Sequence, residues 1–304
     1  CHYRKKYVIT VLDTVIFFSE SKMKYYEIAL NTPLNESFTY ADIADRENYT
    51  GFEPALYKRV EVPFGNGNRI AKGVIIAEHD TLPSNVPEGI EIKSIHSVLD
   101  EEPILTEELL DLAKWISKYY ICSLGEAIAC ILPSGKKTST KGGFSFVEDE
   151  ETFTKKTLSQ EQKASVSGIL ESDGFHYLYG KTGSGKTEVF LSATETLLSQ
   201  GKGIIYLVPE ISLTSQVVKA MAQRFGDTIA VLHSGLTPNQ KLSEWKRILS
   251  KKARIVIGAR SAVFAPVANL GMIIIDEEHD GSYKEDSTPR YHARQVAMYR
   301  ALKN

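Results

Sequence analysis

The sequence predicts an α/β protein: a small β-rich domain, a short helical module, and then a parallel sheet of alternating strands and helices. Three observations carry this. Residues 23–98 hold short β-branched and aromatic runs, "YYEIAL", "RVEVPFG", "RIAKGVIIAEHD" and "IKSIHSVLD", punctuated by Pro, Gly and Asn. From about Thr157, strand-like apolar runs alternate with amphipathic stretches, as in a parallel sheet covered by helices. Within that half, "HYLYGKTGSGKTEVF" (His176 to Phe190) sets a glycine-rich loop between a strand-like run and a helical one.

Taken in order, the chain opens at Cys1, and "RKKYVITVLDTVIFF" superficially resembles a signal peptide. Asp13 interrupts its apolar core, no small-residue cleavage site follows, and the run is too short to span a bilayer. Residues 1–22 are therefore expected to be an upstream segment with no native role, with a first strand in "MKYYEIALNTPLNESFTY". Residues 23–100 are expected to curl into a small barrel-like domain. From Thr106, "TEELLDLAKWISKYY" has a Thr N-cap, acids in its first turn and apolar residues at helical spacing. "SLGEAIACILP" reads as a second helix stopped by Pro133. The basic "SGKKTSTKGG" and the strand-like "FSFVED" follow. Residues 101–154 thus read as a winged-helix-like module, with a plain helical linker as the alternative.

Residues 155–304 supply five strand candidates: "HYLYG", "GIIYLVPE", "TIAVLHSG", "ARIVIGAR" and "GMIIIDEEHD". Continuous apolar runs such as Met272 to Ile275 suit strands covered on both faces. With 36 Lys+Arg against 38 Asp+Glu, the net charge is −2, so nucleic acid would have to meet local patches rather than a basic protein. Cys1, Cys122 and Cys130 have no metal spacing. The last two lie in apolar helical surroundings and read as buried thiols in a reducing, cytoplasmic setting.

The loop carries the chemistry. Gly180, Lys181, Thr182, Gly183, Ser184, Gly185, Lys186 and Thr187 satisfy G-x-x-x-x-G-K-[ST], which turns backbone N–H groups and a helix N-terminus onto phosphates. Lys186 would reach the β- and γ-phosphates and the Thr187 hydroxyl would ligate Mg²⁺. The four fixed positions recur by chance in roughly one such chain in a hundred. "MIIIDEEHD" adds an acid at the end of a buried strand: Asp276 to share the Mg²⁺, and Glu277 to activate the attacking water.

The Asp-Glu-Glu-His order, with His279 fourth, resembles the DEAH-like box of superfamily 2 helicases. "LVPEISLTSQ" (207–216), "VLHSG" (231–235), "IVIGARSAVFAP" (255–266) and "DEEHDGSYKEDSTPRYHAR" (276–294) resemble blocks of the PriA family of primosomal replication helicases. The resemblance runs from about Met23 to the last residue. It implies a RecA-like first helicase lobe, ATP and Mg²⁺ as cofactors, and forked and single-stranded DNA as partner. Other primosome proteins and single-strand-binding proteins are implied as further partners. "TLSQEQKAS" (157–165) is similar to the family's glutamine motif, which implies that Gln162 meets the adenine. The sequence after the acid box implies an aromatic-rich loop that senses single-stranded DNA. Tyr283, Arg290, Tyr291 and Arg294 occupy it, with Glu285 in place of a glutamine and Gln295 in place of an aspartate. Arg260 is implied to touch the DNA backbone or to support that loop.

The front half resembles the family's domain that captures a DNA 3′ end. Its pocket residues correspond to Phe38, Thr39 and Tyr40, the Pro63–Phe64–Gly65 turn, and Lys93 ahead of "VLDEEP". Phe38 would stack the terminal base, Gly65 would allow close approach and Lys93 would neutralise a phosphate. Thr39 stands where the family has an aspartate. Read without the resemblance, Phe38 and Tyr40 are strand residues with one face buried. The implied activity is ATP-dependent 3′-to-5′ DNA unwinding in replication restart. A translocase of the RecG or UvrB type, or a fork-binding scaffold with a nucleotide switch, are the alternatives. The family's zinc-binding cysteines and second lobe are not in these 304 residues, and the segment alone is expected to turn over little ATP. The resemblance also implies a further strand between the loop-entering strand and the acid-box strand. His176–Gly180 and Gly271–Ile275 are therefore expected to share no ladder and to stand about 9–10 Å apart with an empty slot between them.

Overall fold

The computed structural model describes residues 10–11, 14–15, 24–45, 48–84, 86–87, 89–138, 157–181, 183–209 and 216–303. Near the start, β1 (Thr10–Val11) and β2 (Thr14–Val15) pair antiparallel. The other positions expected to form the upstream segment lie outside the described residues.

The expected first strand is two strands. Pro33 and the polar run around it break "YYEIALNTPLNESFTYA" into β3 (Tyr25–Leu30) and β4 (Phe38–Ala41), paired antiparallel. β5 (Arg59–Phe64), β6 (Arg69–His79) and β7 (Ser97–Val98) complete an antiparallel sheet in the order β4-β3-β6-β5-β7. A register shift between Glu27 and Ile28 bends the β3–β6 pair. The segment before β7 then closes the sheet: Ala41 N–H donates to Lys93 O (2.9 Å), Ile95 N–H to Ala41 O (3.1 Å) and His96 N–H to Glu61 O (2.9 Å). Both edges are thereby bonded, and alternate residues Tyr26, Ile28, Leu30, Val60 and Val62 fill the interior with Ile75 and Ile95. The expected barrel-like domain is present.

Two helices leave the barrel. Thr106 accepts from Leu109 N–H to start α1 (Glu107–Tyr120). Ser123 and Glu126 form a reciprocal capping box that starts α2 (Leu124–Ile131). A Cβ on Gly125 would stand 1.6 Å from Leu30 O, so only glycine lets α2 meet the end of β3. The strand-like "FSFVED" lies outside the described residues, so the described part of the module is this helix pair.

In the second half, α3 (Gln160–Glu171) and α4 (Lys186–Ser199) flank the glycine loop. β8 (Gly203–Leu207), α5 (Gln216–Phe225), β9 (Ile229–Leu232), α6 (Pro238–Leu249), β10 (Ile255–Gly258), β11 (Leu270–Ile275) and α7 (Ala293–Lys303) follow. The four strands are parallel in the order β11-β8-β10-β9. Residue parity assigns the faces. Ile204, Tyr206, Ile229, Val231, Ile255, Ile257 and Ile274 meet Leu191 of α4 with Val218 and Met221 of α5. Ile205, Leu207, Ala230, Leu232 and Val256 meet α6 and α7 on the other side. This is a sheet covered on both faces, as the apolar runs require.

One strand candidate fails. Residues 175–180 belong to no strand, and Tyr177 and Tyr179 are 81% and 85% exposed. An apolar run becomes a strand only where a ladder partner stands beside it, and β11 pairs with β8 alone among the described residues. Among the described residues no ladder joins 176–180 to β11, but 176–180 forms no strand, so the two do not frame a slot between strands.

The two halves share one core. Ala29, Val74, Ile104, Leu109 and Ile128 belong to the same buried cluster as Leu207, Trp245, Phe264, Tyr283 and Val296. Trp245 Nε1–H donates to Ile104 O at 2.8 Å, and the buried Arg300 meets both carboxylate oxygens of Glu108 at 2.8 and 3.0 Å. The barrel, helix pair and parallel sheet are thus packed together rather than tethered. Among the described residues no helix is long and apolar enough to cross a membrane.

Candidate functional site

The glycine loop ends at Gly185, whose φ of 84° is a left-handed conformation that favours glycine, as is the 80° of Gly183. α4 begins there with no side-chain cap on its N-terminus, so its first N–H groups are not claimed by a capping side chain. Lys186 Nζ donates to Gly180 O at 2.8 Å, which folds the ammonium back over the loop. Thr187 is the second residue of α4. Thr182 lies outside the described residues. Gln162 is brought to the loop, but both ends of its amide are engaged: Oε1 accepts from Ser159 N–H (2.9 Å) and Nε2 donates to Ser184 O (3.1 Å). In this structure it braces the loop.

At the end of β11, Asp276 N–H still donates to Leu207 O, so the ladder carries the acid to the rim of the sheet. Its Oδ2 accepts from Tyr206 Oη at 3.0 Å and its Oδ1 from Glu277 N–H at 3.0 Å. Tyr206 was not singled out in the sequence, where it reads as one more apolar strand residue. Burial, with the Asp276 carboxylate beside it, holds its phenol protonated well above the ordinary value. Glu277 has a left-handed φ of 46° and an exposed side chain, with His279 Nε2 3.8 Å from Oε2.

The loop after the acid box is braced from within. Tyr283 is 0% exposed and its Oη donates to Asp276 O at 2.6 Å. Tyr291 is 2% exposed, its ring 4.8 Å from that of Phe264 and 5.8 Å from the Arg260 guanidinium. Although both residues lie in the loop that the resemblance implies senses single-stranded DNA, their rings are buried: the aromatic bodies fill the core beside α7 and the helix pair. Arg260 supports the loop through Ser282 O (3.3 Å), Lys284 O and Glu285 Oε2 (2.5 Å). Glu285 also accepts from Asp286 N–H, Ser287 N–H and Ser287 Oγ, so the carboxylate organises the turn. Arg290 is exposed and donates to Asp286 O at 3.1 Å; Arg294 pairs with Glu278.

In the barrel, one groove is lined by Phe38, Thr39, Tyr40, Pro63, Phe64, Gly65 and Lys93, together with Glu36, Ile90 and Glu91. Phe38 and Phe64 meet edge to face at 5.1 Å. Lys93 Nζ donates to Gly65 O at 2.7 Å. Tyr40 is a core residue whose Oη donates to Pro63 O (3.1 Å), and burial pushes its phenol up to about 12. The sequence thus indicated the groove, while the two acids on its rim gave no local signal. Opposite Thr39 on β3 stands Glu27, which accepts from Ser37 Oγ at 2.7 Å.

Comparison with known proteins finds two family models along the chain. The family model described as 3'DNA-binding domain (3'BD) matches residues 27–133, and that described as DEAD/DEAH box helicase matches residues 159–300. Replication restart protein PriA of Treponema pallidum is 43% identical over 279 residues, covering 91% of this chain and 42% of that protein. Its namesake in Bacillus subtilis is 54% identical over 149 residues, 47% of this chain and 18% of that protein. That of Haemophilus influenzae is 33% identical over 363 residues, 92% of this chain and 48% of that protein. The chain thus spans less than half the length of these relatives. With a 3′ DNA-binding barrel and a DEAD/DEAH box helicase sheet in one chain, and these relatives across both, it belongs to the PriA family.

Proposed function

We propose that the chain is the part of an ATP-dependent 3′-to-5′ replication restart helicase that holds a DNA 3′ end and the nucleotide loop. The observation that carries this is the packing: the groove-bearing barrel shares a buried cluster with the sheet whose last strand leads into the acid box, and α4, which the glycine loop precedes, packs on that same sheet through Leu191. The residues fit a nucleotide. An uncapped helix N-terminus behind two left-handed glycines leaves a cradle for phosphates, with Lys186 beside it. Among the described residues no three or more His, Cys, Asp or Glu side chains gather as metal ligands. That suits Mg²⁺, which keeps waters and nucleotide oxygens and takes few protein ligands, here Thr187 and Asp276. Nucleotide hydrolysis supplies the free energy of strand separation. Glu277 accepts the water's proton, and Lys186 leaves Gly180 O to offset charge on the phosphates.

DNA would enter at Phe38, Thr39, Gly65 and Lys93, and at Arg290 and Arg294 on the loop; forked and single-stranded DNA are the substrates, with primosome and single-strand-binding proteins as partners. DNA-stimulated ATP turnover by the full-length protein tests the reading. Turnover indifferent to DNA would sink it in favour of a fork-binding scaffold.

The buried Tyr283 supports a coupling role. Its hydroxyl ties the loop to the carbonyl that precedes Glu277, so motion of the loop is felt at the acid. Tyr283→Phe in the full-length protein should lower DNA-stimulated ATPase about two- to tenfold, the scale of one hydrogen bond. Basal ATPase should hold. An equal fall in both rates would make Tyr283 a packing residue only.

Gly65 has a φ of 69° with open space around its Cβ position, so a substitution there acts through backbone strain, not collision. Gly65→Val should distort the turn that Lys93 holds. Discrimination between forks with free and blocked 3′ ends should fall by roughly tenfold, on the scale of one strained residue. Undiminished discrimination would place the 3′ end elsewhere.

A further inference from the structure

Glu188 is the third residue of α4, one position beyond Thr187. An acid in the first turn is favoured by the helix dipole. At the helix end that receives phosphates, however, it puts a like charge beside them. The structure sets a counter-charge against it from another helix. Arg224, near the end of α5, has a side chain only 4% exposed. Its Nη1 donates to Glu188 Oε1 at 2.6 Å and its Nε to Glu195 Oε1 at 2.5 Å. The Glu188 side chain is itself 12% exposed, so water does little to screen its charge.

We propose that Arg224 is a positioning residue of the nucleotide site: it cancels and holds the Glu188 carboxylate so that the N-terminus of α4 can accept phosphates. The inference rests on the nucleotide reading of the loop. It also gives α5, which begins at the last residue of the 207–216 block, a direct link to the phosphate-binding helix. A helix-to-helix brace alone would use the same contacts, so the test separates charge from bracing.

Equilibrium binding of a fluorescent ATP analogue with Mg²⁺ to the full-length protein is the measurement, with thermal unfolding followed in parallel. Arg224→Gln should weaken binding about tenfold, because Glu188 is then an unpaired, poorly solvated charge beside the phosphates. Glu188→Gln should bind as tightly as the wild type or up to several-fold more tightly. The double variant should recover to within about twofold of Glu188→Gln, as expected when one interaction couples the two sites. Raised salt should narrow the Arg224→Gln deficit. A double variant as weak as Arg224→Gln would leave Arg224 a structural brace. Should Arg224→Gln not fold, Glu188→Gln alone decides, since weaker binding by it overturns the proposal. A wild type that does not bind the analogue overturns the nucleotide reading and the inference with it, whereas binding without rescue overturns the inference alone.

Discussion

Glu277→Gln in the full-length protein is expected to bind ATP as the wild type does and to turn it over at least ~100-fold more slowly, the scale of a lost general base. The substitution keeps the shape of the side chain and removes only its ability to take a proton. The surroundings favour a clean result. Glu277 carries an exposed carboxylate on a left-handed residue, and its own N–H is bound to Asp276 Oδ1. Glutamine preserves that backbone bond, so the geometry at Asp276 should survive. His279, 3.8 Å from Oε2, is the nearby group that could otherwise serve. Single-turnover hydrolysis of pre-bound ATP separates chemistry from binding. Wild-type rates in that assay would assign the water to another residue, with His279→Ala as the next variant to measure.

Which parts of this arrangement could be read in the sequence follows from what each signal depends on. β8 to β11 were legible because strands buried on both faces must be apolar throughout, whatever their neighbours. "HYLYG" has the same composition, yet pairing needs a partner strand, which composition does not encode. The glycine loop was legible residue by residue, since phosphate binding demands glycine and lysine at fixed spacing. The orientation of Tyr283 and Tyr291 was not. An aromatic residue in a polar loop can face DNA or the core, and here α7 and the helix pair offered a core to fill. The hairpin of β3 and β4 could have been found from Pro33 and its polar neighbours. Arg224 could not, because a cross-helix ion pair leaves no local pattern in either helix.

Lys186→Ala, the other large effect, should reduce ATP hydrolysis in the full-length protein by about 100- to 1000-fold, as removal of a preorganised charge at the reacting group does. Fork binding should be largely retained. The division follows from the distances over which each function is built. Among the described residues, Lys186 Nζ hydrogen-bonds to loop carbonyls, Gly180 O at 2.8 Å and Lys181 O at 3.4 Å. Removing the ammonium therefore breaks no contact to the barrel or to the loop after the acid box. Lys93 and Gly65, by contrast, are held by the barrel, whose curl is closed by the hydrogen bonds of residues 93–98 to β4 and β5. The shared core fixes the barrel against the sheet. A fork labelled at its 3′ end and titrated with Lys186→Ala should give the wild-type dissociation constant within about threefold, since no DNA-contacting group is lost. Loss of fork affinity in step with ATPase would mean that the 3′-end groove is assembled only when the glycine loop is filled. The packed core would then have to be a movable joint.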